Sequence, residues 1–533
     1  MKYLKNILKR TPQNSPLWGA AQVQNSAGGY SFTVTGWTRL NRFLILGSEG
    51  GSYYATEAKL TRENAKAVEA CILEDGLRVV KTIVEISDAG RAPKNDPALF
   101  ALAMCAAYGD EATRKAAFQA LPKVARIGTH LFHFAEYVDG MRGWGRGLRS
   151  AVGAWYSQKE SIALANQVTK YVQRDGWSHR DLLRLAHVKT DDTARNALYK
   201  LVVDGWEDLP ESEPEDEALR LMWATERLKR ATSEAEAAQI VAEYRLPMEV
   251  VPSGLRGKKV WEAVLPHAGL TFLIRNLGNL SKSGILQEGA WNEIREVTNR
   301  LADANALKKA RIHPIQVLSA LCTYQSGHGA RGGGEWKVVP QIVDALNVAF
   351  YRAFGNVAPT ELRWVLGLDV SGSMGGGTIA GIPGLTPRLG SMAMAMVNYR
   401  VERDSQIVAF SDEMVPVRLS KTQSLEEAIH QTNQIPFGRT DCALPMLWAM
   451  KNRVEADVFV IYTDSETWYG DIHPVQALRE YRQKMGVPAK LVVVGMVSNG
   501  FTIADPQDGG MMDVVGFDTS APNIIGEFAL GNV

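Results

Sequence analysis

The chain has 533 residues, which at about 150 residues per domain allows three or four domains. With 46% apolar and 22% charged residues it has an ordinary globular composition, so wholesale disorder is excluded. No apolar run approaches the roughly 18–20 residues that cross a bilayer, and the basic start, MKYLKNILKRTPQNSP, lacks the sustained apolar stretch of a secretory signal. Four scattered cysteines (Cys71, Cys105, Cys322, Cys442) without a CxxC pair argue against a disulfide framework or a thiolate zinc site, and point to a reducing cytoplasm.

The net charge of +1 conceals a polarity. Residues 114–189 hold 13 Lys and Arg against 5 Asp and Glu, a net +8, whereas residues 204–243 hold 4 against 12, a net −8. The first stretch is a candidate surface for a polyanion and the second its counterweight.

In chain order, YSFTVTGWTRLNRFLILGSEGGSYY has β-branched and aromatic residues before a Gly-rich turn and is expected to form a small hairpin. Helices of ten to twenty residues follow to about residue 355, among them TRENAKAVEACILEDGLRVVKTIVEI, PALFALAMCAAY, ATRKAAFQALPKVA, SHRDLLRLAHV and PIQVLSALCTY. Apolar positions recur at three and four, with short connections and almost no strand pattern, which suggests helix pairs stacked as an irregular solenoid. From about Glu361 continuous apolar strands (LRWVLGLDVS, SQIVAFSD, DVFVIYTDSE, KLVVVGMVS) alternate with amphipathic helices (GSMAMAMVNYRVE, SLEEAIHQTN, ALPMLWAMKNRV, PVQALREYRQKM). That alternation predicts a parallel sheet covered on both faces, with ligands at the carboxyl ends of its strands.

Polar residues sit at those ends. Asp369, Ser371 and Ser373 form D-V-S-G-S-M after the first strand, Thr440 lies in Gly438-Arg439-Thr440-Asp441, and Asp464 lies in Tyr462-Thr463-Asp464-Ser465. Few charged ligands among hard oxygen donors suit a divalent cation, Mg²⁺ foremost, with an open position for an acidic group from a partner. Helix caps and turns explain any one of these loops, but three at the proper ends of three strands favour a metal site. The pattern is similar to a von Willebrand factor A domain with its metal-ion-dependent adhesion site. The long loop GGGTIAGIPGLTPRLG departs from that pattern and is placed to cover the site.

In the basic stretch, Ser178-His179-Arg180-Asp181 opens a helix with a capping-box start, and Arg180, Arg184 and His187 share its outer face. Lys170 and Arg174 lie four apart just upstream, and Arg142, Arg146 and Arg149 form a stripe on an earlier helix beside Trp144. A solvated face is the usual fate of single Lys and Arg residues, yet their clustering and the preference for Arg suit phosphate contacts. His130 and His133 have metal-like spacing without a third ligand and read as packing or surface residues. Neither GxxxxGK[ST] nor GxSxG occurs, and no nucleophile lies beside a base.

A basic helical region followed by an A domain resembles the Ro ribonucleoprotein family, whose helical part is the TROVE module. The matching blocks run nearly end to end: GWTRLNRFLILGSEGGSYY, GWGRGLRSAV, TKYVQRDGWSHRDLLRLAH, KKARIHPIQVLSAL, TYQSGHGARG, AFSDEMVP, GRTDCALPM, ADVFVIYTDSETW and SNGFTIADP. The resemblance implies a TROVE module over residues 1–360 built as a ring of HEAT-like helical repeats, and an α/β Rossmann-like A domain over 361–533. It further implies a non-catalytic, monomeric RNA-binding ring that holds small noncoding Y RNA on its outer surface and takes single-stranded ends of misfolded RNAs through a central hole, in RNA quality control and stress survival. Y-RNA contacts of the family fall on Lys170, Arg174 and His187, and bacterial members are similar in coupling through Y RNA to the exoribonuclease polynucleotide phosphorylase. A second reading is an adaptor that captures a partner carboxylate at the A-domain metal. A nuclease reading is poor, since the site has only two plausible carboxylate ligands.

Overall fold

The computed structural model describes residues 10–46, 60, 62, 65–92, 94–329, 334–355, 357–376, 379, 385–415, 417–497, 500–515 and 521–531. Strands β1 (Gln22–Gln24) and β2 (Tyr30–Thr33) pair antiparallel, Gln22 opposite Phe32. The hairpin expected beyond residue 30 does not form as such: after β2 the chain turns into the Gly36–Leu46 helix. Leu40, Phe43 and Leu44 recur at three and four and are all buried, a helical periodicity that outweighs the local β propensity. The rest of that expected hairpin, residues 47–59, lies outside the described residues.

Helices then succeed one another from Lys66–Asp88 to Pro340–Ala353. They stack with their neighbours one and two places along. Lys66–Asp88 packs on Asp96–Tyr108 and Glu111–Val124, Asp96–Tyr108 on Gly128–Arg142, Glu111–Val124 on Arg146–Ser157, and that helix on His179–Ala186. Asp96–Tyr108 lies between layers and is buried without a break from Pro97 to Ala106, so it is apolar on every side. Side-chain caps mark many starts: Asp110 accepts from the Thr113 amide, Asp192 from Arg195, Asp216 from Leu219 and Ser233 from Glu236, each satisfying a donor that the first turn leaves open. Inside Lys66–Asp88 the backbone of Asp75 leaves helical geometry (φ −156°, ψ 85°), and its carboxylate caps the Arg78 amide at 2.9 Å, starting a second helix on a new axis. The acidic stretch makes a small core of its own from Trp223, Leu228, Ile240, Val241 and Val260.

The C-terminal part is an α/β domain. Its six-stranded sheet runs β11 (Met511–Val515), β9 (Lys490–Gly495), β8 (Val458–Thr463), β5 (Arg363–Asp369), β6 (Asp404–Phe410) and β7 (Met414–Val415), and every pairing is parallel except β6–β7. β8 is buried throughout, as a central strand covered on both faces must be. Asp369 ends β5 and Thr463 ends neighbouring β8, so their side chains meet at the carboxyl edge of the sheet.

The two ends of the chain are joined. β10 (Phe501–Thr502), from the A domain, pairs antiparallel with β2, Thr502 opposite Phe32. Arg42 is 1% exposed; its Nη2 donates to both carboxylate oxygens of Asp513 at 2.7 and 2.8 Å, and its Nη1 to the Phe501 carbonyl at 3.0 Å. Close by, Arg91 donates to the Val515 carbonyl at 3.1 Å, His313 lies 3.0 Å from the Arg91 carbonyl, and Arg311 donates to Asp88 at 3.0 Å. The helical part therefore returns to its own beginning, where both meet the A domain. All four cysteines are free, and among the described residues no helix is long and apolar enough to cross a membrane.

Replacing Arg42 by Met strands the Asp513 carboxylate in this junction. Removing one partner of a buried pair costs about 3–5 kcal/mol, and an Arg42→Met protein is expected to show a loss of that order in denaturant unfolding followed by circular dichroism. An unchanged midpoint contradicts the role of the pair.

Candidate functional site

At the carboxyl edge of the sheet, Asp369, Ser371, Ser373, Thr440 and Asp464 are all buried, none more than 2% exposed. The Ser371 amide donates to Asp369 Oδ1 at 2.9 Å, and the Ser371 and Ser373 hydroxyls lie 3.2 Å apart. The Gly372 amide donates to the Gly438 carbonyl at 3.1 Å, which draws the Thr440 loop across the first loop. Behind Thr440, the Trp468 and Tyr469 amides both donate to its carbonyl, at 3.2 and 3.0 Å, tying that loop to the one that carries Asp464. The three loops expected to converge are thus hydrogen-bonded to one another.

Their electrostatics are those of crowded acids. Burial, Asp369 and Glu466 push the Asp464 carboxyl up to about 8, and burial also raises Asp369. Among the described residues no cluster of three or more His, Cys, Asp or Glu is arranged to hold an ion. Two carboxylates with three hydroxyls form a different donor set, with hard oxygens and few charges, and it suits Mg²⁺ or Mn²⁺. A cation there offsets the repulsion that otherwise favours the protonated acids.

Sequence reasoning missed several neighbours. Thr463 donates to Asp369 Oδ2 at 2.6 Å, orienting a carboxylate that Ser371 holds from the other side. Arg388 belongs to the helix that closes the long loop; it is buried, donates to the Val370 carbonyl at 2.9 Å, and lowers the Asp369 carboxyl in opposition to burial. The centre of that loop, residues 377–378 and 380–384, lies outside the described residues, so its expected covering of the site does too.

The expected basic residues occupy five neighbouring elements, four helices and a hairpin. Arg142 ends the Gly128–Arg142 helix and Arg146 begins the Arg146–Ser157 helix, so Arg142, Arg146 and Arg149 are not one helical stripe. Gly143 (φ 80°) turns the chain between them, the signal that G-W-G carried. Lys170 ends the Ser161–Lys170 helix, and Arg174 stands on a hairpin of β3 (Gln173–Arg174) and β4 (Trp177–Ser178). Asp175 and Gly176 form its two-residue turn, both with positive φ, as Asp-Gly favours. Arg180 and Arg184 lie on the His179–Ala186 helix, whose capping box at Ser178 and Asp181 is present; His187 is not helical but its left-handed cap (φ 50°).

These pieces abut. The hairpin packs on Gly128–Arg142, the Arg146–Ser157 helix packs on His179–Ala186, and Trp144 stacks on Trp177 at 5.6 Å between them. Arg142, Arg146, Arg149, Arg174, Arg180, Arg184 and His187 are exposed, and Lys170 half-buried. Two are engaged by carboxylates, Lys170 with Glu249 at 3.1 Å and Arg174 with Asp175 at 3.7 Å, and Arg142 donates to the Ala106 carbonyl at 2.6 Å. Solvated pairs of this kind are worth about 0–1 kcal/mol and exchange readily for a phosphate. His179, unlike His187, faces inward: it is 2.6 Å from the Tyr156 hydroxyl, and burial lowers it to about 3, so it is neutral and packs the floor of the face. His130 and His133 are packing residues. Burial lowers His130 to about 3, and His133 is set between Asp96 and Asp175.

Residues 363–529 match the family model described as the Ro60 vWA domain, and residues 23–322 match the TROVE domain. The RNA-binding protein RO60 of Deinococcus radiodurans is 45% identical over 535 residues, spanning 99% of this chain and 100% of that one. The protein of the same name from Caenorhabditis elegans is 35% identical over 601 residues, spanning 99% of this chain and 93% of that one. The crystal structure of the Deinococcus radiodurans RO (RSR) protein superposes with a TM-score of 0.72, at 45% identity, over 94% of this chain and 100% of that one.

The raised carboxyl makes a prediction whose sign is definite. Asp464 moves from 3.8 to about 8, so without metal the folded chain keeps a proton that the unfolded chain loses between those values. Stability contributed by this group is present below about pH 4 and is lost as pH rises through about pH 8. In chelator, Asp464→Asn is expected to gain stability over the parent as pH rises from about 5 to 8, by more than about 1 kcal/mol at the upper end. Thermal melts of both proteins measure the difference; a gap that shrinks with pH contradicts the assignment.

Proposed function

This chain belongs to the Ro60 family, and on that premise we propose that it is an RNA-binding protein that holds its ligand without chemistry on it. Y RNA lies on the face formed by Arg142, Arg146, Arg149, Lys170, Arg174, Arg180, Arg184 and His187, and single-stranded ends of misfolded RNAs enter a hole in the ring made by the helical module and the A domain, with the junction between them at residues 360–361. The observation that carries the first part is the gathering of cations from five neighbouring elements about the Trp144–Trp177 stack, most of them exposed. Phosphates attracted to such a face release counterions, so affinity is steep in salt and shallow in sequence. Structured RNA is read there by shape and backbone. The return of the helical part to its own start, through Arg311 to Asp88 and Arg91 to Val515, supports the ring. Membership also suggests coupling to polynucleotide phosphorylase through the bound Y RNA.

In the A domain, Asp369, Ser371, Ser373, Thr440 and Asp464 hold Mg²⁺ in this reading. The ion supplies a Lewis-acidic position for a carboxylate from outside. The second reading, a metal-dependent adaptor, is favoured by Phe437, whose ring is 60% exposed beside the Gly438–Thr440 loop.

Arg180→Ala with Arg184→Ala is expected to weaken binding of a structured noncoding RNA and to make the slope of log K against log salt shallower by about 2, one unit for each phosphate no longer held. Glu249→Gln releases Lys170 and is expected to tighten binding. Filter binding at several salt concentrations measures both. Equal slopes for parent and double variant overturn the placement of RNA on this face.

A further inference from the structure

The N-terminal arm, residues 10–33, runs along the back of the A-domain site, and its buried polar groups bond to the site's own loops. Gln13 is fully buried. Its Nε2 donates to Asp441 Oδ1 at 2.6 Å and to the Ile472 carbonyl at 2.9 Å, while its Oε1 accepts from the Thr467 hydroxyl. That hydroxyl also lies 3.3 Å from the Thr440 carbonyl. Asn25, also buried, donates through Nδ2 to the Thr467 carbonyl at 2.7 Å, and Ser31 donates to the Ser465 carbonyl at 3.2 Å. Ser465 follows Asp464 and has a left-handed backbone (φ 60°), a conformation that persists only where surroundings hold it. The arm presses so closely here that a Cβ on Gly29 would lie 2.0 Å from the Thr467 carbonyl oxygen and 2.6 Å from Trp468 Cα, both backbone atoms.

We propose that Gln13, Asn25 and Gly29 are positioning residues for the A-domain metal, so that cation binding and docking of the N-terminal arm are one linked equilibrium. The inference rests on the metal reading of Asp369, Ser371, Ser373, Thr440 and Asp464, and adds a segment more than 330 residues away in sequence as their support. Ligand-bearing loops need outer partners that fix their geometry, and losing one such partner costs about 10- to 100-fold in metal affinity. Gln13 bridges the Thr440 loop to the 463–472 loop, and Asn25 with Ser31 fixes the turn directly after Asp464. With the arm undocked, neither loop keeps those bonds. Linkage is reciprocal: by whatever factor the docked arm strengthens the cation, the cation strengthens docking. Because β2 of this arm also pairs with β10, the metal is connected to the junction that joins the two ends of the chain.

Calorimetric titration of the full-length, chelator-stripped protein with Mn²⁺ tests this. Gln13→Ala and Gly29→Ala are expected to bind Mn²⁺ about 10- to 100-fold more weakly than the parent. Trp18→Ala changes an arm residue that is 96% exposed, and Leu277→Ala truncates the helical core; both are expected to bind Mn²⁺ as the parent does, although Leu277→Ala melts earlier. Circular dichroism confirms that each variant is folded, and Gln13→Ala, a truncation without a clash, carries the test if Gly29→Ala does not fold. Parent affinity in folded Gln13→Ala overturns the inference and leaves the metal site standing. A parent protein that takes up no Mn²⁺ at millimolar concentration overturns the metal reading, and the inference with it.

Discussion

Everything in this protein hangs on an interaction between groups some 470 residues apart: the Arg42 guanidinium closed on Asp513 and the Phe501 carbonyl. A charge this deeply buried is costly unless paired and fully hydrogen-bonded, and here it is held by a carboxylate and a carbonyl together. Around it β2 adds to β10, Arg91 reaches Val515, and the connection before the Pro314–Gln325 helix meets the end of Lys66–Asp88 through Arg311 and the Arg91 carbonyl through His313. A stack of helices has two open ends, each exposing apolar surface that needs a cap. Bringing the ends together against the A domain covers both, and it fixes the relative position of a basic face and a carboxyl-lined sheet edge that the chain encodes far apart.

The two regions use electrostatics in opposite ways. On the helical face, side chains from separate elements keep their charges in water, where weak pairs such as Lys170–Glu249 cost little to give up. At the sheet edge the acids are taken out of water and crowded, so burial and neighbouring acids raise the carboxyls. A neutral, inward His179 packs beneath the first region, while beneath the second the Thr463 hydroxyl orients Asp369 and the buried Arg388 guanidinium opposes the effect of burial on it.

The α/β half is the more legible part. Strands buried on both faces must be continuously apolar, and helices covering them must be amphipathic, so PVQALREYRQKM corresponds to Pro474–Met485 residue for residue; the Asp369 and Asp464 loops fall where strands end, whereas the expected third strand end at Thr440 is a loop between the Leu425–Asn433 and Leu444–Asn452 helices. In the helical half, local pattern identifies the helices but not their joints. Arg142, Arg146 and Arg149 have helical spacing, yet Gly143 and Gly145 divide them between two helices. Arg174 lies on an Asp-Gly hairpin whose strands are only two residues long, too short for any alternation of apolar and polar residues to show. What no local pattern carries is pairing across the whole chain. Nothing around Gln13 or Arg42 announces Asp441 or Asp513, because side-chain partners at that separation are chosen by the completed fold.

The central claim is that residues 10–33 belong energetically to the last domain of the chain. Native-state hydrogen exchange followed by mass spectrometry, resolved on peptides covering β2 and β9, measures it directly. Shared closure predicts that β2 amides open with a free energy close to that of the A-domain sheet and respond in parallel to added denaturant. β2 amides that exchange at the rate of an unstructured peptide while β9 stays protected would contradict it.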